Sequence, residues 1–85
     1  MKAEIRKLLG SDKLIIGTER TLKLLREGKL KKVMLASNCK QTTVEDVQRY
    51  STQSGTEVVH LDIPNEELGV YCKKPFNISI LGIRA

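Results

Sequence analysis

The sequence has no tryptophan, one phenylalanine and two tyrosines. A core built from it must be aliphatic, so an aromatic ring left outside that core is informative. It has a single histidine and only two cysteines, Cys39 and Cys72, which together form no metal-binding pattern. His60 lies within the run Val58-Val59-His60-Leu61 and reads as a packed strand residue. No apolar run approaches the roughly 20 residues that cross a bilayer. There is neither a Gly-x-x-x-x-Gly-Lys-Ser/Thr loop nor a Gly-x-Gly-x-x-Gly, which argues against a triphosphatase or a dinucleotide enzyme. Glu66 and Glu67 are adjacent on a predicted helix, so they diverge and make no acid–base pair. Cys72 stands beside Lys73 and Lys74, which would lower its thiol pKa, but no base or oxyanion arrangement accompanies it. Catalysis has little to stand on, and neither a metal nor a cofactor is expected. The charged N-terminal segment does not resemble a secretory signal, so the reading is a soluble cytoplasmic chain with reduced thiols.

What the chain does have is basic charge, unevenly placed. Its net charge is +5. Residues 1–32 hold ten Lys/Arg against four acids, and residues 33–85 hold five against six. A segregated basic half fits a polyanion partner, of which nucleic acid is the commonest.

Eighty-five residues make one domain spanning 1–85, without repeats, linkers or low-complexity tracts. Apolar spacing predicts a helix over 3–9 closed by Gly10, and a strand over 13–16. A helix capped by Thr18 follows to residue 27, and the continuous apolar run at 32–37 predicts a strand buried on both faces. Thr43 is placed to cap the next helix, which Gly55 closes, before a strand over 57–61. Asn65 is placed to cap a short helix broken at Lys73-Lys74-Pro75, and 77–83 predicts the last strand. The alternation implies an α/β fold: an αβα sandwich of three layers, with helices on both faces of a four-stranded, mixed but mostly parallel sheet. Ligands of such sheets sit beyond the carboxyl ends of the strands. The loops 17–20, 38–42 and 62–65 should therefore meet at one edge.

Each of these segments carries groups suited to an anion or a base. Gly17 bares the backbone where a strand hands over to a helix, and Thr18 opens that helix, whose first N–H groups favour anions. Arg20 and Lys23 share a helix face. Asn38, with Lys40 two residues on, offers an amide able both to donate and to accept. Lys73 and Lys74 beside Phe76 make either a stacking platform for an unpaired base or a core ring at the start of a strand.

The runs LIIGTERTLKLLREGKLKKVMLASN and IPNEELGVYCKKPFNISILGI together resemble the family of archaeal and eukaryotic large-subunit ribosomal proteins called L-thirty-e. That family is a branch of the kink-turn RNA binders, which share the same sandwich. The resemblance covers about residues 4–83. It implies a non-catalytic constituent of the large ribosomal subunit, partnered by a kink-turn or internal loop of rRNA and by neighbouring ribosomal proteins. It implies no membrane partner, and a monomer when free. Carried over, Gly17 permits close approach of the RNA, Lys23 and Asn38 match RNA-contacting residues, and Phe76 sits where a ring can stack. Glu19-Arg20 departs from the Asn-Glu pair with which other branches recognise sheared G·A pairs. That departure weighs against the nearest alternative, a subunit of a guide-RNA modification or tRNA-processing particle. A small enzyme and a protein-interaction module are the readings from other classes.

Overall fold

Successive side chains of an extended segment point to opposite faces. The runs Leu14-Ile15-Ile16 and Val33-Met34-Leu35 therefore demand apolar cover on both sides of a sheet. The computed structural model describes residues 5–7, 9 and 11–84, and supplies that cover. Strands β1 (Leu14–Ile16), β2 (Leu30–Leu35), β3 (Glu57–His60) and β4 (Ile80–Arg84) form one sheet in the order β1-β4-β2-β3. Helices α1 (Thr18–Arg26), α2 (Gln41–Ser54) and α3 (Asn65–Tyr71) connect them, and residues 5–7 are also helical. On one face Leu14, Met34, Leu81 and Ile83 pack with Leu68 of α3 and with Ile5. On the other, Ile15, Val33, Leu35 and Ile80 pack with Leu25 of α1 and Val47 of α2. Val33, Met34 and Leu35 are all fully buried, as their unbroken apolar run requires. Among the described residues no helix is long and apolar enough to cross a membrane.

The expectation of a mostly parallel sheet is wrong. β2 and β3 pair in parallel, but β4 lies antiparallel to both its neighbours, β1 and β2. The connection from β3 to β4 explains the reversal. A parallel fourth strand needs a crossover that carries the chain back along the whole sheet. α3 has seven residues, which rise only about 10 Å, and the chain after it stays at the end where β3 finished. The N–H of Ile78 donates to the carbonyl of Asn65 (3.0 Å), and the N–H of Ala36 to that of Ser79 (2.9 Å). The last strand therefore enters the middle of the sheet from the end at which β2 leaves it.

Three predicted caps are also corrected. Gly17, Lys40 and Pro64 occupy the N-cap positions of α1, α2 and α3, and none bonds through a side chain. Thr18, Thr43 and Asn65 lie inside the first turns instead. His60 is exposed rather than packed, because β3 is an edge strand and His60 ends it. Of the helix expected over 3–9, residues 5–7 are helical and Leu9 lies in a turn. The remainder, with Gly10, lies outside the described residues.

Candidate nucleic-acid interface

Register gathers the candidate residues. Ile16 pairs with Leu81, Leu35 with Ile80, and Leu35 with His60. Hence β1, β2 and β3 end, and β4 begins, at the same rim. The segment leading into β4 enters between the loop after β1 and the loop after β2, since β4 lies between those strands.

At the first loop, Gly17 has φ +116°, a conformation that L side chains rarely adopt, and its carbonyl accepts the N–H of Thr21 at 3.1 Å. The space beside its Cα is open. The expected bare backbone is there, and the turn itself demands glycine. Thr18 follows, half-buried, with Glu19 and Arg20 exposed in the first turn of α1. The two diverge. Arg20 lines a cleft with Lys73, Lys74 and Phe76. Glu19 lines the groove between α1 and α2 with Lys23, Arg26 and Asp46. Glu19 does not line the Phe76 cleft.

At the second loop, the carboxamide of Asn38 is clamped onto Asn65. Its Oδ1 accepts the backbone N–H of Asn65 (2.8 Å), and its Nδ2 donates to Asn65 Oδ1 (3.1 Å). Asn65 Nδ2 in turn donates to Ser79 Oγ at 3.4 Å. Pro64, the N-cap of α3, has no side-chain acceptor to offer, so a residue from a different loop serves the first turn. This chain of bonds ties together the loop after β2, the start of α3 and the approach to β4. Each Asn38 polar atom keeps one further bonding position toward solvent. Asn38→Ala is expected to cost about 1 kcal/mol of stability, in the range of a lost cap, read from the urea midpoint. A midpoint equal to that of the wild type would show that the clamp contributes nothing. Lys40, exposed, takes the N-cap position of α2, its carbonyl accepting the N–H of Val44 (3.0 Å).

The third segment is held by the end of α3. The N–H of Lys73 donates to the carbonyl of Val70 (2.9 Å), and that of Lys74 to the carbonyl of Gly69 (3.0 Å). This is a Schellman closure with Lys73 in the left-handed position usually given to glycine, at φ +58°. The turn exposes Lys73, Lys74 and Pro75 and leaves Phe76 with 53% of its surface accessible. The core reading of the ring is excluded. Tyr50 and Tyr71, by contrast, are half-buried, and they lie beneath Arg26 and Arg6.

The rim holds little that resembles catalytic chemistry. Burial pushes the Cys72 thiol up, and this outweighs the opposing charge of Lys74. The lowering expected from the neighbouring lysines is therefore overturned. Burial likewise raises the Cys39 thiol, with the Lys40 backbone N–H as the smaller, opposing cause. Both cysteines are free. Among the described residues no group of three or more His, Cys, Asp or Glu is placed to hold a metal.

Sequence reasoning brought Asn65 to this edge but not its bonds to Asn38 and Ser79, and it missed Ser79 and Gly69 as parts of the rim. The interior glycine of α3 was the one available signal, since such glycines usually have a packing reason.

The model of the "Ribosomal protein L7Ae/L30e/S12e/Gadd45 family" matches residues 1–85. The large ribosomal subunit protein eL30 of Sulfolobus acidocaldarius is 39% identical over 82 residues, covering 96% of this chain and 79% of that protein. The eL30 of Methanocaldococcus jannaschii is 38% identical over 77 residues, covering 91% of this chain and 70% of that protein. The eL30 of Trypanosoma brucei brucei is 31% identical over 83 residues, covering 98% and 79%. In fold, the chain is similar to a protein of unknown function from Bacillus halodurans, with TM-score 0.86 and 17% identity, covering 99% of this chain and 83% of that one. It is also similar to the 15.5kD RNA binding protein of Giardia lamblia, with TM-score 0.78 and 18% identity, covering 99% and 70%.

Proposed function

The chain belongs to the ribosomal protein L7Ae/L30e/S12e/Gadd45 family, and from that premise we propose that it is an RNA-binding constituent of the large ribosomal subunit. It does no catalysis. It holds a kinked or internally looped element of rRNA at the rim where the three strand-end loops and the approach to β4 meet. The kinship with eL30 proteins of archaea and a trypanosome supports the ribosomal part of this reading.

The single observation that carries the RNA part is the exposed Phe76 ring, flanked by Lys73 and Lys74 and facing a cleft shared with Arg20. A flat ring among cations takes an unstacked base, while the cations take the phosphates on either side. Bent RNA offers both, because a kink splays bases out of the helix and brings two backbone segments together. Phosphate contacts by Arg20, Lys23, Lys40, Lys73 and Lys74 position the RNA; Gly17, Thr18 and Asn38 set how closely and in what shape it fits.

The test is binding of a labelled kink-turn RNA by fluorescence anisotropy. Phe76→Ala is expected to weaken binding by about 1–3 kcal/mol and to leave the urea midpoint unchanged. If affinity holds, no base stacks on Phe76 and the stacking platform is lost.

A further inference from the structure

Arg20 belongs to two surfaces. Besides the rim cleft, it lines with Lys23 a groove along the flank of α1 that runs to the opposite end of the sheet, where Lys29 and Arg84 complete it. Lys13 stands next to this end of the groove, in the turn that leads into β1: its carbonyl accepts the N–H of Arg84 at 2.9 Å. Arg84, two residues after Gly82, is on the α1 side of the sheet; a Cβ at Gly82 would meet Thr21 of α1. The groove contains one acid, Glu27, which is already paired with Lys29 at 3.2 Å. Lys13, Arg20, Lys23 and Arg84 are left exposed, with no ion pair among the described residues.

We propose that this strip is a second nucleic-acid surface, which carries the backbone of an RNA helical arm leaving the rim. The inference rests on the function proposed above. Continuity points to the same RNA rather than to another partner. A backbone held by Arg20 at the rim meets Lys23 in the last turn of α1 and then Arg84 and Lys13 at the far end of that helix, whose nine residues rise about 13 Å. The large apolar side chains most exposed to solvent, Val70 and Phe76, are not in the groove. Its apolar lining, Ile15 and Leu24, is buried or half-buried, so it presents no exposed aromatic or aliphatic anchor of the kind that protein partners and membranes use. It also offers long flexible cations and no planar amide, which is the chemistry of phosphate contact without reading of sequence.

Two kink-turn RNAs serve as probes, identical except that one arm is truncated in the first and extended by a full helical turn in the second. The wild-type protein is expected to bind the extended RNA about tenfold more tightly at low salt. The double variant Lys13→Gln/Arg84→Gln should bind both RNAs as the wild type binds the truncated one. Its salt slope on the extended RNA should be shallower by about two. Equal binding of the two RNAs by the wild type would overturn the strip while leaving the rim intact, as would a variant that keeps the preference. Loss of binding to the truncated RNA by the wild type would instead remove the rim, and the strip with it.

Discussion

Gly69→Ala is expected to abolish most of the RNA affinity, although residue 69 is buried. Gly69 sits inside α3, where alanine ordinarily stabilises a helix by about 1 kcal/mol. Here a methyl group would overlap the backbone carbonyl of Phe76 and crowd the carbonyl carbon of the same residue. A backbone atom cannot turn away as a flexible side chain can, so the segment carrying Lys73, Lys74 and Phe76 must shift. The Schellman bond from the Lys74 N–H to the Gly69 carbonyl ties that segment to this very turn. The expected loss in anisotropy titrations is therefore larger than that of Phe76→Ala, because the ring and both lysines move together. Stability should fall by about 1–3 kcal/mol, the usual cost of overpacking. Val70→Ala is the control. Val70 is 76% exposed on the same helix, so its truncation should change stability by no more than about 0.5 kcal/mol. Unchanged affinity and stability in Gly69→Ala would show that the helix and the Phe76 segment are not in contact.

That glycine also marks where sequence reading stops. The two-sided burial of Val33, Met34 and Leu35 was legible, because an unbroken apolar run in a short strand has only one arrangement that hides it. The convergence of the loops after β1, β2 and β3 was legible too, since those three strands do run the same way. The direction of β4 was not. A stretch such as Ile78-Ser79-Ile80-Leu81 hides the same residues whichever way it runs, and only the short return through α3 decides. The clamp of Asn38 onto Asn65 was equally invisible, because it joins residues 27 positions apart and replaces a local cap that Pro64 cannot provide. The exposure of His60 follows from its place on an edge strand, which apolar neighbours in sequence do not reveal. Of the candidate site, the cations and the ring could be listed from the sequence. The bonds that aim them are tertiary and could not.

Salt should weaken binding steeply, and the steepness counts the phosphates. Arg20, Lys40, Lys73 and Lys74 at the rim and Lys23 farther along α1 are exposed, and none is held in an ion pair among the described residues. Their charge is therefore available to displace counterions from the RNA. With three to five phosphates neutralised, each contributing about −0.7 to −0.9 to the log–log slope, the expected slope is about −2 to −4.5. Between 50 and 200 mM salt that amounts to a loss of about 20- to 500-fold in affinity. Of the acids near α1, Glu27 is paired with Lys29, and Glu19 lies outside the cleft of Arg20, Lys73, Lys74 and Phe76. Stacking on Phe76 is insensitive to counterions, so Phe76→Ala should lower affinity equally at every salt concentration. Arg20→Gln and Lys74→Gln should instead flatten the slope by about one each. Parallel lines for all three variants would mean that the cations are bystanders. A flat wild-type response would mean that the rim holds its RNA, if at all, by contacts other than charge.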